Sequence, residues 1–256
     1  MEIRVDLTPQ LANAERDGLV PPARSGDSAT VVIDVLRGAT IAPLLFERGA
    51  SVVTVTGSVR AARRVAEERR AVLIGERSGV PIEGFNHGSS PSVLRSVALS
   101  EREVVLVTEE MPAALAGASG RVWLAGLTNA VAAADVVAAT RAPLVRIVCA
   151  GDRGEPDLAD TIAAGLLVAL LDRAARREAG TTVALSGASR YCLSVLRTTK
   201  DPLDGIWAAA AAAELRAVGL EEDLAIASEV AASDVVPSAH AFETVLGRQT
   251  VRLTAG

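Results

Sequence analysis

The sequence predicts an α/β protein whose mostly parallel sheet carries helices on both faces. Three observations lead there. Short apolar runs of strand length alternate along the chain with longer segments of helical period. Hydrophobic residues make up 50% of the 256 residues while aromatic ones make up 2%, so a large core must be built from Ala, Val, Leu and Ile. Several strand-like runs are apolar almost throughout, as in strands buried on both faces.

The elements follow in order. Glu2 to Thr8 alternates polar and apolar and reads as a strand. Pro9 to Asp27 is a polar, Pro-containing connection with room for one helical turn. Thr30 to Leu36 is an apolar run broken only by Asp34 and reads as a buried strand ended by Arg37. Helix is predicted over Ala39 to Arg48, strand over Ser51 to Val55, amphipathic helix over Ser58 to Arg70 and strand over Ala71 to Ile74. Gly75 to Pro91 is rich in Gly, Pro, Asn and Ser and reads as a long loop. A helix near Ser92 to Leu99 follows. The alternation resumes with strands at Glu103 to Thr108, Val122 to Leu124 and Leu144 to Cys149. Helices at Pro112 to Gly117, Thr128 to Ala139 and Asp157 to Glu178 separate and follow them. Thr181 to Val230 is mostly helical and Ala-rich, a propensity signal without functional content. Asp234 to Val236, Glu243 to Leu246 and Thr250 to Leu253 read as short terminal strands, which can make the sheet mixed. With no internal repeat and no linker, one domain over residues 1–256 is expected.

Composition narrows the function. A formal net charge of -5 argues against nucleic acid as a partner, since duplex binding needs a basic face to replace counterions. Lys200 is the only lysine, so no Gly-Lys-Ser/Thr phosphate loop exists. Cys149 and Cys192 lack metal-ligand spacing and form no disulfide framework, which suits a reducing compartment such as the cytoplasm. From the alternating charges of the first six residues no signal peptide is expected. The longest apolar run, Ile162 to Leu171, falls short of the about 20 residues that cross a bilayer, so no membrane partner is expected.

In open α/β sheets, ligands bind beyond the carboxyl ends of the strands. Those ends carry Asp34 and Arg37, Glu76 and Arg77, Thr108 to Glu110, Gly126 to Asn129, and Gly151 to Asp160. Asp34 interrupts an apolar strand and needs a metal, a cation or hydrogen bonds to offset its desolvation. Metal or catalytic use stands beside a structural reading in which Asp34 and Arg37 pin the next helix. Gly75-Glu76-Arg77 repeats the acid-plus-arginine arrangement, and two such ends together could hold a cation and an oxyanion. The loop Gly84-Phe-Asn-His-Gly-Ser-Ser-Pro91 has the backbone N–H supply of an anion nest, although Ser89 and Ser90 could simply cap a helix. His87 reads as a solvated loop histidine. Cys149-Ala-Gly151 ends a strand at a polar loop, with packing the plainer role for Cys149. Asp157 and Asp160 suit the start of a helix, with Asp160 also able to face the sheet end and join a Mg²⁺ site.

Taken in order, Asp34-Val-Leu-Arg37, Gly75-Glu-Arg77, Gly84 to Pro91, Cys149-Ala-Gly151, Gly219-Leu-Glu-Glu-Asp223 and Asp234-Val-Val-Pro237 resemble the signature segments of the 2-phosphosulfolactate phosphatase (ComB) family. The resemblance implies a three-layer α/β/α architecture with a mixed, mostly parallel sheet. It also implies Mg²⁺-dependent hydrolysis of (2R)-2-phospho-3-sulfolactate to sulfolactate and phosphate, a step of coenzyme M biosynthesis. On that basis Asp34, Arg37, Glu76 and Arg77 are the expected catalytic residues. Asp34, Glu76 and Asp160 are the expected Mg²⁺ ligands, and Arg37 and Arg77 would hold the phosphate or sulfonate. Ser89, Ser90, Cys149 and Gly151 are expected to bind the small anionic phosphoester. Assembly as a homo-oligomer stays open. The chain departs from the family pattern at Thr108-Glu-Glu-Met-Pro112, where relatives carry a Thr-Thr-Asn-Gly-Thr type of loop, and at Ala159, where an acidic residue is usual. The alternative is therefore a divergent member that acts on another small phosphoester or only binds an anionic ligand.

Overall fold

The computed structural model describes residues 1–19, 27–77, 79–177 and 182–256. In chain order these form β1 (Glu2–Asp6), α1 (Gln10–Arg16), β2 (Ser28–Ile33), α2 (Gly38–Glu47), β3 (Val52–Thr56) and α3 (Val59–Arg69). Next come β4 (Val72–Arg77), β5 (Val80–Pro81), α4 (Pro91–Leu94), β6 (Glu103–Val107), α5 (Met111–Ala116) and β7 (Arg121–Ala125). Then follow α6 (Ala130–Ala139), β8 (Leu144–Cys149), α7 (Leu158–Arg177), β9 (Ala184–Leu185) and α8 (Gly187–Thr198). The chain closes with α9 (Pro202–Trp207), α10 (Ala210–Ala217), α11 (Glu221–Ser228), β10 (Pro237–Val245) and β11 (Arg248–Ala255).

The eleven strands make one sheet in the order β5-β4-β6-β3-β11-β10-β7-β2-β8-β1-β9. β4, β6 and β3 are mutually parallel, and so are β7, β2, β8, β1 and β9. Between the groups sits the hairpin β10–β11, antiparallel to β7 on one side and to β3 on the other. The sheet is mixed and mostly parallel, and the C-terminal strands make it so from its middle. The three antiparallel pairings there set the two parallel groups in opposite directions. Twist of about 20–25° per strand pair accumulates to more than a right angle between β4 and β2. The sheet also curls around α2 and α5. Val32, Leu124 and Val148 from one group and Val53, Ile74 and Leu106 from the other share one apolar cluster with Ile41, Leu45 and Leu115 of those helices. Twist and curl together bring the carboxyl ends of β2 and β4 to one place, where Arg37 meets Glu76.

The layers follow from strand periodicity. Val31 and Ile33 of β2 face α6 and α7, packing with Val137, Ile162 and Leu167, while Val32 points the other way toward α2. Helices therefore cover both faces, the three-layer α/β/α arrangement. A smaller cluster seats Ala62 and Val65 of α3 on Val105 and Val107 of β6. Ser58 caps α3 by accepting from the Ala61 N–H at 3.2 Å.

Three expectations change. β4 runs on to Arg77 and pairs with β5 inside the segment expected to be loop from Gly75, because Glu76 and Arg77 form a short hairpin with Pro81 and Val80. The helix expected at Ser92 to Leu99 is only α4. Asp234 to Val236 is not a strand: Asn129 Nδ2 donates to the Val235 carbonyl and Ser233 Oγ accepts its N–H, so these groups are taken before a neighbouring strand can use them. The connection from Pro9 contains the two-turn helix α1, but residues 20–26 lie outside the described residues. So do Glu178, the expected end of the long helix, and Thr181.

Candidate active site

A cleft of about 260 Å³ opens where the ends of β2, β4, β6 and β8 converge. Asp34, the residue after β2, lies at its floor with 6% of its surface exposed. Its carboxylate accepts the backbone N–H groups of Gly38 and Met111, the first residues of α2 and α5. Gly38 is required for this approach. A Cβ there would lie 2.5 Å from Asp34 Oδ2 and 2.9 Å from Met111 Cε. Burial raises the Asp34 pKa to about 7, and the nearby negative charges of Glu110 and Asp157 add to the effect.

Asp160, in the first turn of α7, is buried beside it. Oδ1 accepts the Val35 N–H at 2.8 Å and Oδ2 the Gly151 N–H at 3.0 Å. It thus ties the chain after β2 to the chain after β8. Burial, then repulsion from Asp34 and Asp157, pushes its pKa well up. Asp157 uses Oδ1 to cap α7 through the Ala159 and Asp160 N–H groups at 2.9 and 3.3 Å. Its Oδ2 is buried and has no hydrogen-bond partner among the described residues. Burial raises the pKa of Asp157 and of Glu110 as well.

Arg37 is the buried cation of the cleft. It pairs with Glu76 from the end of β4 and with Asp223 from the first turn of α11. Burial lowers its pKa, and the charge of Asp223 pulls it back. Asp223 is fully buried, and its other oxygen accepts from Ser90 Oγ at 2.8 Å and the Ser92 N–H at 3.1 Å. One carboxylate thus joins the end of β2, the loop before α4 and the helix α11.

The structure brings Asp34, Arg37, Glu76, Ser89, Gly151 and Asp160 to this cleft. It leaves three of the expected residues outside. Arg77 turns away to donate to the Gly57 carbonyl at 2.5 Å and to Glu109 at 3.4 Å, and it borders a separate pocket with Ser58 and Arg248. Ser90 spends its hydroxyl on Asp223. Cys149 is buried beneath the cleft, its thiol 3.8 Å from the Asp160 carbonyl, and burial pushes its pKa well above the ordinary thiol value. A buried neutral thiol packs and does not bind an anion. Asn129, at another strand end, is wholly buried and braces the turn after β7 through the Gly126 N–H and the Leu124 carbonyl.

Sequence reasoning passed over Asp223 and Asp157 as site residues. Asp223 carried a signal in the matching segment Gly219 to Asp223, but nothing local pointed it at Arg37. Asp157 resembled an ordinary cap. Its second oxygen is what the cap does not use.

The described residues bordering the cleft include eight carboxyl side chains and two guanidinium groups. Such a set fits a hard divalent cation, which takes oxygen ligands and would offset the burial and repulsion that raise the pKa values of Asp34, Glu110, Asp157 and Asp160. The expected trio of Asp34, Glu76 and Asp160 does not gather. Among the described residues, no group of three or more His, Cys, Asp or Glu is placed to hold a metal by itself. Glu76 is drawn to Arg37, and both oxygens of Asp160 are engaged. The free Oδ2 of Asp157 remains, and with it Asp34, whose carboxylate accepts two N–H groups of its own but borders the cleft and has lone pairs to spare. Two carboxylates are what Mg²⁺ commonly takes from a protein, with waters and substrate phosphate oxygens filling its other positions.

Buried carboxyl groups with raised pKa values beside a buried guanidinium, at the strand ends of an α/β sheet, are the equipment of an enzyme that handles a small oxyanion. The family model described as 2-phosphosulpholactate phosphatase matches residues 16–241. A protein of Deinococcus radiodurans named "Probable 2-phosphosulfolactate phosphatase" is 33% identical over 242 residues, 93% of either chain. One of the same name from Thermus thermophilus is 33% identical over 240 residues, 93% of this chain and 94% of its own. The chain belongs to the 2-phosphosulpholactate phosphatase family and is a phosphatase, a phosphoric monoester hydrolase. Among the described residues no helix is long and apolar enough to cross a membrane.

Proposed function

We propose that the chain hydrolyses (2R)-2-phospho-3-sulfolactate to sulfolactate and phosphate with Mg²⁺ bound in the cleft, as a step of coenzyme M biosynthesis in the cytoplasm. The observation that carries this reading is the meeting of Arg37 with the carboxylates Asp34 and Asp157 in one cleft, in a chain matched to the family over nearly its whole length. Asp34 and Asp157 would hold the cation. When bound, Mg²⁺ would supply positive charge for the phosphoryl oxygens. Arg37 offers five N–H donors, more than its two carboxylate partners occupy, and would contact the same oxygens. Glu76 and Asp223 would fix the plane of its guanidinium. Gly151 and Ser89 would form walls of the substrate site, with Asp160 holding the Gly151 loop in place. The free, buried thiols Cys149 and Cys192 suit a reducing compartment.

A second reading has one observation in its favour. Glu110 borders the cleft in the segment where the family resemblance leads one to expect neutral hydroxyls and amides, which suits a phosphoester bearing less charge. Phosphate release from a panel of phosphoesters, with and without EDTA, tests both. The first reading expects fastest turnover on 2-phosphosulfolactate and its loss with EDTA. Metal-dependent turnover of a less charged ester alone would favour the second, and EDTA-resistant turnover would sink the Mg²⁺ assignment.

A further inference from the structure

We propose that Arg153 and Glu214 form an exchangeable latch, in which Arg153 leaves Glu214 to bind an anionic group of the substrate other than its phosphate. The inference rests on the reading above and deepens it. 2-Phosphosulfolactate carries a carboxylate and a sulfonate besides the phosphate, and it would enter a cleft whose described bordering residues include eight acids and two arginines. Arg37 lies at the floor and is already neutralised by two carboxylates. Among the described residues Arg153 is the other guanidinium, and it stands at the mouth. Its side chain is 68% exposed, and among the described residues it pairs with Glu214 of α10, itself 46% exposed. An ion pair so open to water holds weakly, so exchanging Glu214 for a substrate anion costs little. The planar fork of an arginine suits either a carboxylate or a sulfonate.

The backbone supports the exchange. Asp152 and Glu155 trade backbone hydrogen bonds, each 2.9 Å long, and close a tight turn around Arg153. Arg153 itself has φ +50°, a conformation that favours glycine, and its N–H donates to Glu110. The turn is thus anchored to the cleft while the long side chain stays free to swing. Glu214 comes from α10, whose Ala211 and Leu215 also border the cleft.

Calorimetric titration with sulfolactate tests the latch, because sulfolactate carries both non-phosphate anions and needs no turnover. With Mg²⁺ present, Arg153→Gln is expected to weaken sulfolactate binding about tenfold to a hundredfold, the loss of a charge-assisted hydrogen bond. Arg153→Lys should recover part of that loss, and Glu214→Gln should tighten binding by freeing Arg153. The kinetic counterpart is a raised KM for 2-phosphosulfolactate in Arg153→Gln, with the KM for glycerol 2-phosphate changed less than twofold. Equal sulfolactate affinity in wild type and Arg153→Gln, no binding by wild type, or weaker binding by Glu214→Gln would each overturn the latch. Arg153-dependent sulfolactate binding without phosphate release from 2-phosphosulfolactate would leave the latch standing and remove 2-phosphosulfolactate as the substrate. Far-UV circular dichroism confirms that each variant is folded.

Discussion

Replacing Asp223 by Ala tests how the cleft is held together. The carboxylate is fully buried and answers Arg37, the Ser90 hydroxyl and the Ser92 N–H. Removing one partner of a buried ion pair costs about 3–5 kcal/mol. Glu76 still offsets the charge on Arg37, which points to the lower end, but two donors also lose their acceptor at roughly 1–3 kcal/mol each when they stay buried. Water admitted to the space left by the carboxylate would recover part of that second loss. The net expectation is a loss of about 4 kcal/mol, a large share of the 5–15 kcal/mol that holds a typical domain. Urea denaturation of wild type and Asp223→Ala measures it directly. Asp223→Asn, which keeps the shape and an acceptor oxygen, should lose less stability while still lowering phosphate release, because Arg37 loses its charged partner. A stability loss under about 1 kcal/mol for Asp223→Ala would refute the view that this carboxylate clamps Arg37 and the loop before α4.

Two further outcomes follow from the same geometry. Asp34 is raised from 3.8 to about 7, so between those values the folded state keeps a proton that the unfolded state has released. The stability from that proton is complete below pH about 4 and lost as pH rises through about 7. Without divalent cations, Asp34→Asn should flatten this decline and be more stable than wild type at pH 8, while phosphate release is abolished; an unchanged pH slope in urea titrations would contradict the assignment. Cys149→Ala should keep phosphate release within about twofold and cost about 1 kcal/mol from a small cavity, since the thiol packs beneath the cleft; a collapse in rate would return Cys149 to the site.

The sequence by itself determined the layers and one edge of the site. Alternating runs of strand and helix period placed the parallel strands other than the two-residue β9 within a few residues, because burial on both faces forces near-continuous apolar segments. An acid interrupting such a run marked Asp34, since a buried charge there demands a partner. The partners were another matter. Glu76 was legible as a strand end, but its contact with Arg37 depends on the accumulated twist of strands that the C-terminal hairpin separates. Asp223 lies 186 residues from Arg37 along the chain, and no local pattern carries that distance. Arg77 and Cys149 share motifs with site residues, yet one turns outward to Gly57 and Glu109 and the other is sealed below the cleft. Residue type and period are local properties and survive in the sequence. Which charges neutralise one another is set by where a curled, mixed sheet brings its strand ends, and only the tertiary structure decided that.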